Sequence, residues 1–392
     1  MQSRGAHTCA TSDLLERRLR TVSPDQLRRG RNEQLTIALA IRAQRLRRIY
    51  SQIFSRAPRQ TGWAPVSCHK PKRWATPLTA RSVKMSESSH NSGPVLVTAA
   101  TGRQGGATAR ALLEAGTAKV RVLVRAPETA KAQVLAQAGA ELVVGDLDDP
   151  ASLRAACAGA RAVFSMQSPI VTETGVDFSK ERRQGKNLVE AALAEGVHTF
   201  VHTATSGVGD HRNVEGWAEG RWKSHEEYWE NKLATCELVR SAGFESWTII
   251  LPGTFMDHAM LDPAGFADGS RLITVIRTDR PLELIAPEDI GKAAAAAIDY
   301  PAKFNGVTLQ LAGELLTQPQ IVEILSRLDG KKYVLQSGTP EEAIAAGLHP
   351  GVAHGLAYMN VAPVLARPEI ARSYGLRPMS FENWARKQRG LA

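Results

Sequence analysis

The chain has 392 residues, 43% of them hydrophobic, and a net charge of +10. That length holds one large domain, or one plus a smaller lobe, and no apolar run approaches the ~18–20 residues of a membrane-spanning helix, so the chain reads as soluble, with no membrane partner. The charge is uneven: residues 1–84 carry 18 Lys and Arg against 4 Asp and Glu, a net of +14 that leaves −4 for the remainder, so the larger part has no electrostatic reason to bind nucleic acid.

Residues 1–91 read as a basic extension. Within it, 33–53 has a helical apolar pattern (Leu35, Ala38, Ile41, Leu46, Ile49, Ile53) with arginines interspersed. An Arg-rich amphipathic helix fits a mitochondrial transit signal, against which Asp13, Glu16, Asp25 and Glu33 weigh. The segment equally fits a disordered leader, a start placed upstream of Met85, or a basic interaction arm. The four cysteines (Cys9, Cys68, Cys157, Cys236) form no C-x-x-C pair, which suits a reducing compartment and no structural metal. The expected location is cytoplasmic, with mitochondrial and nuclear placement as alternatives.

The first strand is expected at 94–98. It runs into Ala99-Ala-Thr-Gly-Arg-Gln-Gly-Gly106, and 107–115 reads as a helix closed by Gly116. Strand, tight glycine turn, helix is the context in which a glycine motif binds a dinucleotide. Backbone must approach a pyrophosphate, so side chains are unwelcome at Gly102 and Gly105, and the helix N-terminus then faces the phosphates. Ala99 stands where such loops usually begin with glycine; its methyl is tolerated if φ stays negative. Further strands are expected at 120–125, 141–144, 160–166, 198–203 and 247–251, separated by helices at 128–138, 151–158, 180–195 and 224–242. Buried β-branched strands alternating with helices imply an α/β fold: a doubly wound parallel Rossmann sheet over 92–252. A smaller C-terminal α/β substrate lobe is expected over 253–392, with a possible return of the chain to the first domain. There the pattern gives strands at 272–275, 282–285 and 307–312, helices at 286–298 and 317–328, and mostly helix after 343.

The second strand ends on Arg125, where NAD-binding proteins usually place an acid for the ribose hydroxyls. A guanidinium suits a 2′-phosphate, so the expected cofactor is NADP(H). Arg103 could reach the same phosphate, and Lys131 is a weaker third candidate. Asp146 and Leu147 end the third strand at the adenine edge; Asp146 could accept the exocyclic amine or cap the next helix. Gln167 leaves the fourth strand toward the ribose and nicotinamide.

Tyr228 and Lys232 stand at i and i+4 on one helix face. A phenol beside an ammonium can pass a proton to a substrate atom as hydride arrives, and the pair fits a simple helix-supporting contact as well. Thr203 and Thr205 could orient a substrate oxygen or cap a turn. Phe255, Met256, Met260 and Trp217 fit an apolar pocket, and fit plain core equally. The glycine-rich stretch 206–223 fits a lid or a variable surface loop.

Together, Val95–Gly106, 120–125, Gly145-Asp-Leu-Asp-Asp, Leu251-Pro-Gly-Thr-Phe-Met and Ile285-Ala-Pro-Glu-Asp-Ile-Gly resemble the NmrA-like family, a branch of the atypical short-chain dehydrogenase/reductases. The resemblance runs from about Ser92 to Trp384. It implies an NADP-binding Rossmann domain with cofactor positions at Ala99, Ala100, Thr101, Gly102, Arg103, Gln104, Gly105, Arg125, Asp146, Leu147, Gln167, Lys232, Thr254, Phe255 and Met256. The family it resembles contains reductases of small metabolites, including fungal natural-product enzymes, and proteins that bind NADP without turnover and contact transcription factors. Many of its members lack the tyrosine, which is present here as Tyr228, and Asp257 stands where the family often has Asn. The expectation is an NADP(H)-dependent oxidoreductase acting on a small carbonyl, imine or alkene, with Tyr228, Lys232 and Thr203 as catalytic groups. The alternatives are a non-catalytic redox sensor with a regulatory protein partner, or a purely structural Rossmann module.

Overall fold

The computed structural model describes residues 93–168, 170–172, 175–257, 269–348 and 350–391. The expectations for residues 1–91, and for Met260, lie outside the described residues.

The chain runs β1 (Val95–Val97), α1 (Arg103–Ala115), β2 (Val120–Val124), α2 (Ala130–Gln137), β3 (Glu141–Val144), α3 (Pro150–Cys157) and β4 (Ala162–Ser165). A short hairpin, β5 (Ile170–Thr172) and β6 (Gly175–Asp177), precedes α4 (Ser179–Ala194), β7 (Thr199–Thr203), α5 (Lys223–Ser241), β8 (Ser246–Pro252) and β9 (Thr254–Phe255). Then come β10 (Arg271–Thr274), β11 (Pro281–Ile285), α6 (Pro287–Asp299), α7 (Pro301–Phe304), β12 (Val307–Leu311), β13 (Glu314–Thr317), α8 (Gln318–Asp329) and β14 (Val334–Ser337). Helices α9 (Pro340–Ala345), α10 (Pro350–Met359), α11 (Pro368–Ser373) and α12 (Phe381–Gln388) complete it.

Seven strands form one parallel sheet in the order β12-β8-β7-β4-β1-β2-β3. The strand order reverses between β1 and β4, and in sheets of this kind ligands sit outside the carboxyl ends of the strands at that point. The period-two alternation of β1 explains its two-sided burial. Val95 and Val97 pack on one face with Leu112 of α1 and Ile290 and Ala294 of α6, while Leu96 packs on the other with Leu188 of α4 and Val239 of α5. The fold is thus α/β and doubly wound, as the sequence implies. The chain does return: α6 lies against α1, and β12 closes the sheet beside β8.

Helix α1 starts at Arg103, four residues before the expected position, because close packing on β1 overrides the low helix propensity of Gly105 and Gly106. Gly116 closes it in the left-handed region (φ 64°), its N–H donating to the Leu112 carbonyl. The expected helix over 317–328 is α8, begun by a capping box in which Thr317 and Gln320 bond reciprocally. Strands β5, β6, β9, β13 and β14, each of two to four residues, are not among the expected strands. The side lobe consists of β13-β11-β9 and β10-β14 with α8, and Met256, Leu272, Leu284, Ile321 and Phe381 share its core. Among the described residues, no helix is long and apolar enough to cross a membrane.

Candidate functional site

The turn after β1 is built by one backbone reversal. Ala99 takes φ 50°, the only non-glycine in positive φ among the described residues, and its carbonyl accepts from the Gly102 N–H at 2.8 Å. The condition of a negative φ is not met at Ala99: the chain reverses there to enter α1, and an L-residue in that conformation costs about 1 kcal/mol. Gly102 is the exposed N-cap and offers no side chain to the helix end. The N–H groups of Arg103, Gln104 and Gly105 have no backbone acceptor among the described residues, and the first turn holds no acid. Such a helix end attracts an anion.

The two loop glycines serve different ends. A Cβ on Gly102 would meet only the Ala99 carbonyl, at 3.1 Å, whereas one on Gly105 would fall 2.3 Å from the Thr98 carbonyl oxygen. Gly105 is therefore required by helix–strand contact, not by approach to a ligand. Ala100 and Gln104 are buried while Thr101 and Arg103 face solvent. Thr203 is 3% exposed and donates its hydroxyl to Gln104 Oε1 at 2.7 Å. Through that bond the Thr203 hydroxyl ties β7 to the first turn of α1. Thr205 is half-buried just beyond it, its carbonyl accepting from the Val208 N–H.

At the end of β2, Arg125 is exposed, with no partner among the described residues, and Lys131 is exposed on α2. Asp146 Oδ1 accepts from the Asp148 N–H at 2.9 Å. The helix cap considered for Asp146 belongs instead to Asp149, which accepts from the Ala151 N–H. The Leu147 carbonyl takes the Asn187 amide at 3.0 Å.

Arg103 is held by Asp257, with Nε 2.9 Å from Oδ2, both groups about half exposed. The carboxylate competes with any phosphate for this guanidinium. Asp257→Asn is therefore expected to tighten binding of a phosphate-bearing dinucleotide by about twofold to fivefold, a surface ion pair being worth ~0.2–1 kcal/mol. Titration calorimetry on the variant checks this, and weaker binding would contradict it.

The carboxyl ends of β4 and β7 bring together groups that no local pattern pairs. Thr98 donates its hydroxyl to the Phe164 carbonyl and accepts from the Met166 N–H at 3.0 Å. Gln167, 4% exposed, donates to Ser165 Oγ at 3.1 Å, and Ser165 Oγ lies 3.2 Å from His202 Nδ1. Burial, reinforced by the Lys232 charge, pushes the His202 imidazole down to about 3, so it is neutral at physiological pH.

Tyr228 and Lys232 do share a face of α5: Lys232 Nζ lies 4.9 Å from the Tyr228 ring centroid. Tyr228 is half-buried, edge-on to Phe178 and Trp229, and its hydroxyl has no hydrogen bond among the described residues. Lys232 is buried, and one of its N–H donors goes to Glu181 Oε1 of α4 at 2.6 Å. Sequence reasoning missed Glu181, His202 and Ser165. Glu181 lies 51 residues from Lys232, beyond any local spacing, and His202 and Ser165 sit in strands that read as ordinary core.

Thr254 and Phe255 are half-buried in β9, paired with β11. The Met256 side chain is fully buried in the side-lobe core, and its N–H donates to the Ile285 carbonyl. The 206–223 stretch is pinned rather than lid-like. His211 is fully buried, stacks on Trp229 at 5.3 Å and pairs with Glu230, and Trp222 Nε1 donates to the Glu215 carbonyl. Trp217 packs edge-on against His211, which settles it as core.

The model of the NmrA-like family matches residues 91–361. An NAD(P)H azoreductase of Xenophilus azovorans is 28% identical over 276 residues, covering 70% of this chain and 88% of that protein. Among solved structures, the NADPH-dependent quinone oxidoreductase of Escherichia coli, complexed with NADPH, superposes with a TM-score of 0.59 at 21% identity, over 75% of this chain and 99% of that one. NmrA, a negative transcriptional regulator in complex with NADP, gives 0.57 at 20% identity, over 76% and 95%. At these identities the two structures establish the fold, and an enzyme and a regulator share it.

Proposed function

The chain belongs to the NmrA-like family, and from that premise we propose that it is an NADP(H)-dependent oxidoreductase that reduces a small carbonyl, imine or conjugated alkene. The observation that carries this reading is Tyr228, whose hydroxyl has no hydrogen bond among the described residues and which has the Lys232 ammonium beside its ring, a pair with the chemistry of a general acid. The relative named as an NAD(P)H azoreductase supports the oxidoreductase part of this reading.

The residues present fit the dinucleotide. Three amides without acceptors at the start of α1, with no acid in the first turn, suit a diphosphate. The unpaired Arg125, with no carboxylate beside it at the end of β2, suits a 2′-phosphate. In this reading Asp146 and Leu147 border the adenine, Gln167 and Lys232 hold the nicotinamide ribose, and Thr254 and Phe255 border the acceptor side. When bound, the reduced nicotinamide supplies hydride. Tyr228 gives its hydroxyl proton to the acceptor atom that gains negative charge, and Lys232 stabilises the phenolate left behind. Phe178 and Trp229 hold the ring of Tyr228 in place.

The test is direct binding. The protein is expected to bind NADPH more tightly than NADH, and Arg125→Glu to weaken NADPH by about tenfold to a hundredfold, since a charge-assisted bond contributes ~1.5–3 kcal/mol. NADH affinity should change little. Equal losses for the two, measured by calorimetry, would remove Arg125 from the cofactor assignment, and no binding of either would remove the function.

A further inference from the structure

We infer that Glu181 is a positioning residue for the proposed reaction, holding Lys232 as a fixed ammonium against the ring of Tyr228. The inference rests on the reading of Tyr228 and Lys232 given above. Glu181 is 5% exposed and Lys232 7%, and their contact of 2.6 Å ties the start of α4 to the middle of α5. The second carboxylate oxygen, Oε2, is buried and has no partner among the described residues. Asp148 differs: its carboxylate is shared among Lys180, Arg183 and Gln184. Among the described residues, Lys232 is the one side chain that bonds the Glu181 carboxylate.

Among the described residues, Glu181 is the one carboxylate in contact with the ammonium. The groups facing Lys232 are Glu181 from α4, His202 from β7, and Tyr228 and Cys236 along α5 itself. Burial pushes the Cys236 thiol up to about 12, so it is uncharged, and His202 is neutral. Burial works against the Lys232 charge, and the Glu181 carboxylate more than offsets it, raising the ammonium above the ordinary lysine range. One turn along α4, a Cβ on Gly185 would fall 2.6 Å from Thr235 Cγ2 and 3.6 Å from Gln167 Oε1. The two helices therefore meet closely there, beside Gln167, and the ammonium has little freedom to move elsewhere.

Without Glu181 the buried lysine loses its counter-charge and its pKa falls below that of the unfolded chain, ~10.4. In Glu181→Gln the charged lysine then destabilises the fold at low pH, and this cost disappears as pH rises toward 10. The difference in thermal midpoint between wild type and Glu181→Gln, measured without cofactor, is therefore expected to narrow between pH 6 and pH 10. Activity should move the other way. With NADPH and 1,4-benzoquinone as probes, the ratio of variant to wild-type kcat is expected to fall by about tenfold from pH 6 to pH 9, as Lys232 loses its proton in the variant only. KM should stay nearly constant. Glu181→Asp, which keeps the charge, should restore the wild-type pH profile.

A variant that is merely loosened would be least active at low pH, the opposite trend. A midpoint difference or a kcat ratio that does not change with pH overturns the inference. If the wild type neither binds NADPH nor consumes it, the proposed function fails first; the thermal series still decides whether Glu181 keeps Lys232 charged.

Discussion

Gly105→Ala is expected to disrupt the β1–α1 junction and to abolish binding of either nicotinamide dinucleotide. The added methyl would lie 2.3 Å from the Thr98 carbonyl oxygen and 2.4 Å from that of Ala99, both backbone atoms. Neither side can yield. Thr98 is fully buried and locked to β4, with its N–H and hydroxyl donating to the Phe164 carbonyl and its Oγ1 accepting from the Met166 N–H. Helix α1 is held from the side by α6, where Gly291 leaves no room for a side chain: a Cβ there would sit 2.4 Å from the Ala107 carbonyl. Overpacking an interior costs about 1–3 kcal/mol even where side chains can shift, and here only backbone can move, so the loss should lie at or above the top of that range. Against a total stability of ~5–15 kcal/mol this is severe. A fall of many degrees in the thermal midpoint should accompany the loss of binding. Gly102→Ala is the control: its φ of −92° suits any residue and its nearest contact is 3.1 Å, so it should fold normally. Equal effects from both substitutions would show that the asymmetry between the two glycines is wrong.

Tyr228→Phe is the second. The change removes one oxygen that bonds to nothing among the described residues, and keeps the ring that packs against Phe178, Trp229 and the Lys232 ammonium. Stability and NADPH affinity should therefore stay close to wild type, within about twofold for the latter, since the ring contacts survive. If the hydroxyl is the acid of the reaction, kcat for NADPH oxidation should fall by about 10²–10⁴-fold, the range for a lost general acid. Following absorbance at 340 nm with a quinone acceptor reads this directly. Full activity in the variant would require another proton donor, and the buried, neutral His202 is not placed to act as one.

The sheet, its parallel sense and the glycine turn were legible in the sequence because they rest on local patterns. Strands such as Val95–Val97 and Val120–Val124 are short apolar runs, each followed by a helix, and parallel pairing of adjacent strands needs such a crossover. The Tyr228–Lys232 face was legible because i and i+4 always meet on a helix. The cofactor choice rested on one position, Arg125, whose place at a strand end the alternation fixes.

Other features were decided only by the tertiary structure, because they depend on distances between residues far apart in the chain. The positive φ of Ala99 follows from how β1 must hand over to α1, which residue type alone does not state. Thr203 had the chemistry to meet a substrate, yet Gln104, 99 residues earlier in the chain, takes its hydroxyl. Met256 looked like a pocket residue and became core because β9 pairs with β11 and buries it. Glu181 reached Lys232 only because α4 and α5 pack side by side. Sequence periodicity states which face of an element is apolar; it does not state which polar group on a distant element will meet it, and the protonation states at this site depend on those meetings.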